Sequence, residues 1–241
     1  MAGDRGPEAG NSPSLPVMPD APTVAERAQA GDVLDRLRTR YPEIGTALRY
    51  DDQWQLLVAT VLSAQTTDEN VNAVTPVLFQ RWPTVDDLAG ADLEEVEKVV
   101  YSTGFFRQKT ASIIALSADL VDRYDGVVPG DLDDLVTLRG VGRKTASVIL
   151  AEAFGVPAIA VDTHVNRVSN RLGLVSTAAP EKIEFALRDL YPEDDWSAIS
   201  MRFIQFGREV CVARRPRCWE CTLADVCAYP NKTPAPEPDD G

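Results

Sequence analysis

The strongest constraint on the fold is a rhythm. From Asp51 to Val210 apolar residues return every three or four positions, and no stretch alternates apolar with polar as a half-buried strand would. Turn and capping residues divide this run into helices. Thr23 with Glu26 three residues later reads as a capping box for a helix to about Tyr41, carrying Val33, Leu34 and Leu37 on one face. Trp54, Leu57, Val58, Val61 and Leu62 form the next stripe, and Thr67 or Asp68 caps a helix over 69–82. Short helices follow at about 85–88 and 93–99, a turn at 101–106, a long helix at about 107–124, and a short one at 131–136. Helices at about 143–154, 163–172, 180–190 and 196–210 complete the series. The expected class is all-α.

Residues 1–22, rich in Pro and Gly, have no hydrophobic period and are expected to be disordered. The helices of 49–162 are expected to form one domain. The terminal helix (23–48) should pair with 163–228 as a second, with 229–241 as a flexible tail. That pairing would bring Lys144 and Asp162 to the cleft between them.

At 241 residues and 44% hydrophobic, the chain can build a real core. No apolar run approaches the ~20 residues of a membrane span. The N-terminus lacks the basic and apolar regions of a signal peptide, so the expected location is the cytoplasm. A net charge of −13 argues against phosphate partners until its distribution is read. Residues 86–98 hold six acids against one lysine, whereas 138–171 hold five cations against two acids and 202–217 five against one. Two basic segments stand on an acidic remainder, which would limit non-specific binding.

The first basic segment opens with Leu138-Arg139-Gly140-Val141-Gly142-Arg143-Lys144-Thr145-Ala146. Its glycines sit where a hairpin between two helices needs positive φ or no side chain, and bare N–H groups beside a helix N-terminus suit one phosphate. Leu138 and Val141 would anchor the turn. Lys144 falls in the first helical turn, where the dipole and the neighbours Arg139 and Arg143 disfavour its charged form. It is therefore either a Schiff-base nucleophile or a plain phosphate partner. Val161-Asp162-Thr163-His164 places Asp162 as a helix N-cap, a role compatible with taking the lysine's proton or stabilising a cationic sugar. His164 is the only histidine.

All four cysteines lie in the last 31 residues, spaced Cys211-x6-Cys218-x2-Cys221-x5-Cys227. Such clustering signals a metal site, and the spacing alone suits either zinc or an iron–sulfur cluster. Arg214, Arg215 and Arg217 lie between them, so the loop could face phosphate.

Together the motifs at 62–68 (Leu-Ser-Ala-Gln-Thr-Thr-Asp), 138–146, 161–164 and the cysteine loop resemble, in order and spacing, the endonuclease III family of helix-hairpin-helix DNA glycosylases. The resemblance spans about Val33 to Tyr229 and implies two helical domains with DNA in the cleft: a six-helix barrel, with its helix-hairpin-helix at 132–154, and a cluster domain. It implies a [4Fe-4S] cluster on Cys211, Cys218, Cys221 and Cys227. Lys144 matches the family's catalytic lysine and Asp162 its catalytic aspartate, for excision of an oxidised pyrimidine followed by strand cleavage at the resulting abasic site. The implied partner is duplex DNA with damaged pyrimidines or abasic sites, bound by a monomer through Gln65, Phe105, Gly140, Gly142, Arg143, Thr145 and His164. Gln65 matches the residue that fills the gap left by the flipped base, and Phe105 tips a second wedge loop.

Two residues depart from the pattern. Phe105 stands where an aliphatic residue is common, and Arg139 where proline is usual, which should loosen the turn. Adenine-excising relatives carry an acid before the Gln-containing turn, and none occurs in 58–64. Mismatch thymine glycosylases of this fold favour tyrosine at position 144.

Overall fold

The computed structural model describes residues 21–237. Of the leader expected to be disordered, residues 1–20 lie outside them, as do residues 238–241 of the expected tail. Most helices begin on a side chain suited to cap them. α1 (Val24–Arg40) opens on the capping box, with Glu26 N–H donating to Thr23 Oγ1 at 3.2 Å and Thr23 N–H to Glu26 Oε2 at 2.7 Å. Asp52 caps α2 (Gln53–Leu62) and Thr67 caps α3 (Asp68–Arg81). Thr84 and Asp92 do the same for α4 (Val85–Ala89) and α5 (Leu93–Val100). In each case a side-chain oxygen accepts an N–H that the first turn leaves without a partner.

A 3-10 turn (Tyr101–Thr103) leads into α6 (Phe106–Tyr124). α7 (Leu132–Leu135) is shorter than the expected 131–136, because Asp131 is its cap and accepts from the N–H groups of Asp133 and Asp134. α8 (Arg143–Phe154), α9 (Thr163–Leu172), α10 (Pro180–Leu190) and α11 (Trp196–Glu209) follow. Among the described residues there is no strand, and the fold is all-α.

The apolar stripes gather into two separate buried clusters. One runs from Leu48 to Ala158 and is built by α2 to α8. The other joins Ala30, Val33, Leu34 and Leu37 of α1 to α9, α10, α11 and Leu223. Ala158 belongs to the first and Ile159 to the second, so the chain crosses between them within one peptide unit. Two serines of α11 fix the crossing: Ala158 N–H donates to Ser197 Oγ at 3.2 Å and Ala160 N–H to Ser200 Oγ at 3.1 Å. The segment then delivers Asp162 to the start of α9. A second crossing, residues 41–50, is held by Thr46 N–H donating to Glu152 Oε2 of α8 at 3.3 Å.

Candidate active site

The two crossings and the facing helices of both clusters wall an open cleft. Lys144, Thr145, Asp162, His164 and Gln65 all line it, together with Asp68 and Arg208. The structure thus brings together five of the seven expected cleft and DNA residues outside the hairpin glycines. Phe105 and Arg143 are not among the lining residues.

The hairpin forms as a turn between α7 and α8, with Leu138 and Val141 buried in the first cluster. Gly140 adopts φ +80°, and a Cβ there would lie 2.7 Å from Ser112 Cβ, so both conformation and space demand glycine. Gly142 differs. It caps α8 at φ −90° with open space where a Cβ would be, and no side chain caps that helix. Nothing in the fold requires glycine at 142, which leaves the bare N-terminus of α8 open to an incoming anion. Arg139 N–H, which a proline would lack, donates to Asp119 Oδ2 at 3.2 Å and ties the hairpin to α6. That bond offsets the expected loosening.

Arg143 has a partner of its own. Its Nε and Nη2 donate to Glu184 at 2.6 and 3.0 Å, and the Glu184 side chain is only 3% exposed. Arg188 also pairs with Glu184, at 2.5 Å, so an ion-pair triad joins the lysine helix α8 to α10 of the other cluster.

Lys144 is exposed to solvent within the cleft. The protein packed around its ammonium still displaces water, and this desolvation is the main cause that pushes its pKa below the ordinary lysine value, with Arg208 adding to it while Asp162 and Asp68 oppose. The direction matches the expectation, but the charges do not. Arg143 is neutralised by Glu184, and the acting cation is Arg208 from α11. Arg208 lies 3.5 Å from Asp68 across the cleft. Sequence spacing could not have found that pair, because its members are 140 residues apart.

Asp162 is both cap and cleft group. Oδ1 accepts from the N–H groups of His164 at 2.7 Å and Val165 at 2.9 Å, and Oδ2 lies 3.0 Å from His164 Nδ1. The lone histidine therefore steadies the carboxylate.

Both expected wedge tips hold left-handed backbone: Gln65 at φ +56° and Phe105 at φ +47°. Non-glycine residues occupy that region at a cost that the surrounding structure must meet. Phe105 is 64% exposed, consistent with an apolar tip offered to a partner. Asn70 brackets the two turns, donating from Nδ2 to Thr66 Oγ1 at 3.0 Å and to Ser102 O at 2.8 Å. Ser102 Oγ returns a bond to Asn70 Oδ1 at 3.1 Å. Beneath the Phe105 loop the buried Lys109 donates from Nζ to Thr103 O at 2.6 Å. Neither support carries a motif that sequence reading could use.

The four cysteines line one small apolar cavity with Arg171, Phe206 and Tyr229. Among the described residues no three His, Cys, Asp or Glu side chains converge tightly enough for a single metal ion, so the thiols encircle a space and do not meet at a point. Burial pushes the Cys221 and Cys227 thiols above their ordinary pKa, and the neighbouring cysteines add to it. Such a set ionises when a cationic centre compensates it, as an iron–sulfur cluster does. Arg171 donates to Cys211 Sγ at 3.4 Å and to Val212 O at 2.8 Å, and Arg36 of α1 grips Asp225 and Thr222 O. Arg214, Arg215 and Arg217 point to solvent.

The profile of the HhH-GPD superfamily of base excision DNA repair proteins matches residues 58–193. The chain belongs to this superfamily. Within it, a profile for the iron–sulfur binding domain of endonuclease III matches residues 211–227, all four cysteines included. Endonuclease III of Synechocystis is 48% identical over 84% of this chain and 93% of its own length. That of Escherichia coli is 37% identical over 86% and 98%. A solved structure of a trapped endonuclease III–DNA covalent intermediate superposes with a TM-score of 0.80 at 44% identity, over 83% of this chain and 95% of that one. The endonuclease III resemblance read from the motifs therefore stands. It decides between zinc and iron–sulfur, which spacing alone had left open.

Proposed function

We propose that this chain is a bifunctional DNA glycosylase and abasic-site lyase that removes oxidised pyrimidines from duplex DNA, with Lys144 as nucleophile and Asp162 as its acid/base partner. One observation carries the reading: a lysine and a helix-capping carboxylate line the same cleft, at the N-termini of two helices from different clusters. The direction of the lysine's pKa, below its ordinary value, agrees with it. The two clusters are then two domains, and the DNA lies across the cleft between them.

The damaged nucleotide leaves the stack and enters the cleft, a motion that costs least for a damaged base. Gln65 and Phe105 occupy the space it vacates. The neutral amine of Lys144 attacks C1′ while the N-glycosidic bond breaks and its electron pair leaves with the base, which takes up a proton. Asp162 receives the proton that the amine releases and faces the positive charge that develops on the sugar. Ring opening gives an imine between C1′ and Nζ. Loss of a C2′ proton expels the 3′-phosphate oxygen, and water then frees the lysine. The open N-terminus of α8 receives a backbone phosphate. The iron–sulfur cluster, of four-iron type, is held by Cys211, Cys218, Cys221 and Cys227 and supplies a rigid frame for the arginine loop. The protein acts as a monomer, in the compartment of the chromosome. No helix among the described residues is long and apolar enough to cross a membrane.

Borohydride reduction during reaction with a thymine-glycol duplex should crosslink protein to DNA, and Lys144→Ala should abolish the adduct. Absence of any adduct with thymine-glycol, 5-hydroxycytosine and abasic duplexes would sink the reading. An adduct that persists in Lys144→Ala would move the nucleophile elsewhere.

A further inference from the structure

We propose that Gln205 reads the extruded base, its side-chain carbonyl accepting a hydrogen bond from the N3–H of an oxidised uracil or thymine. This rests on the cleft being a pyrimidine glycosylase pocket. Gln205 sits on α11 and lines the cleft with Lys144 and Asp162. An amide is ambiguous as a reader, since it can donate or accept, unless something fixes its orientation. Here Glu209, one helical turn on, does so. Its carboxylate accepts from Gln205 Nε2 and, on the other oxygen, from Tyr41 Oη at 2.7 Å. Arg40 in turn donates from Nε to Tyr41 Oη at 3.0 Å and lies 3.7 Å from Glu209. Burial works against the charge on Glu209, but the bonds from Tyr41 and Gln205 and the cation of Arg40 hold its carboxyl below the usual range.

An ionised carboxylate can only accept, so the amide nitrogen must face it and Oε1 must face away. Among the described residues no donor reaches Gln205 Oε1. Among the cleft hydroxyls, Thr60 Oγ1 gives its proton to Leu56 O at 2.7 Å and Ser63 Oγ to Thr60 O at 2.8 Å, so neither proton serves Gln205, and both oxygens of Asp162 serve α9 and His164. Met201, one turn earlier on α11, and the adjacent Ile204 add apolar wall for the face of a ring. A uracil or thymine derivative presents an N–H at N3, which meets a spare acceptor well. A cytosine derivative presents a lone pair at N3, which meets it badly.

The test compares 5-hydroxyuracil, 5-hydroxycytosine and abasic duplexes with the full-length protein. Base release is read after alkali, and abasic cleavage is read without it. Gln205→Leu keeps the volume and removes the acceptor. Excision of 5-hydroxyuracil should fall about 10-fold in kcat/KM, the effect of one neutral hydrogen bond. Excision of 5-hydroxycytosine and cleavage of abasic DNA should stay within about twofold of wild type. Glu209→Gln can donate as well as accept, which lets the Gln205 amide invert, so it should narrow the ratio between the two bases without changing abasic cleavage. Equal losses on both bases, or a parallel loss on abasic DNA, would overturn the assignment, as would an unchanged ratio in both variants. Wild-type protein that releases bases but cannot cleave abasic DNA would instead defeat the lyase reading, while the base ratio would still judge Gln205.

Discussion

In the proposed function the cleft and the cysteine loop both serve a polyanion, yet they are organised in opposite ways. The cleft is assembled entirely from the fold. Asp162 is set by the backbone of α9 and Lys144 by the start of α8, and the Arg143–Glu184–Arg188 triad locks α8 to α10 of the other cluster. The cysteine loop has little regular structure of its own, only a 3-10 turn over Cys218–Glu220, and it borrows anchors from α1 and α9 through Arg36 and Arg171. Its four half-buried thiols give it a centre only when an inorganic group joins them. The comparison teaches that chemistry was placed where helices preorganise it, while charge was placed on a loop whose shape a cofactor holds.

The first way to break this contrast is Asp162→Asn. If the cleft is preorganised, base excision should fall by roughly 10²–10⁴-fold, in the range of a lost acid/base group, while affinity for lesion duplex largely survives. The asparagine can still cap α9, so the melting temperature should barely move. A collapse in stability with proportionate loss of binding would mean that capping was the larger role.

Cys218→Ser probes the other side. Absorption at about 400 nm and bound iron should be lost, along with duplex affinity, while helical circular dichroism largely persists because the first buried cluster lies outside the loop and the second takes only Leu223 from it as a buried member. With the cluster intact, Arg214, Arg215 and Arg217 changed together to Ala should flatten the slope of log affinity against log salt by about 2–3, one phosphate contact each. A colourless zinc protein with unchanged binding would erase the distinction between the regions.

A smaller effect is expected at the lock. Glu184→Gln leaves two arginines facing a neutral amide, and a buried pair broken in this way costs about 3–5 kcal/mol when fully enclosed. Arg143 and Arg188 are 33% and 25% exposed, so about 2 kcal/mol is expected in chemical denaturation. Lys144 chemistry should weaken in the folded protein as well. A stability loss without any change in trapping rate would show that the triad does not set the lysine.

Which parts were legible in the sequence follows from the range of the forces involved. Caps and stripes are local, so Thr23 with Glu26 and the face of α2 could be read directly, and Gly140 announced its own turn. The paired arrangement Lys144–Asp162 was reachable because each sits in a short motif at a helix start. Arg208 beside Asp68, Glu184 beneath Arg143, and Asn70 between two turns were not reachable. Each depends on tertiary contact between residues whose local context says only "helix surface". Arg143 shows the same limit: next to Lys144 it looks like a free cation, and only the fold reveals Glu184, 41 residues away, as its partner.

The subtlest expectation concerns pH and tests whether the cleft's electrostatics belong to Arg208. Only the neutral amine of Lys144 attacks, so trapping on abasic DNA should rise with pH along a limb that levels off below the ordinary lysine value. Arg208→Met removes a cation that depresses the lysine pKa and leaves Asp68, which raises it, without its partner. Both changes favour the ammonium, so the limb must move to higher pH and the rate at neutral pH must fall. Asp162→Asn removes a group that stabilises the ammonium and must move the limb the other way. Arg208 is 52% exposed, so the shift should be small and should shrink as salt screens it. Movement of both variants in the same direction would mean that burial alone sets Lys144 and that the cross-cleft pair merely holds the walls together.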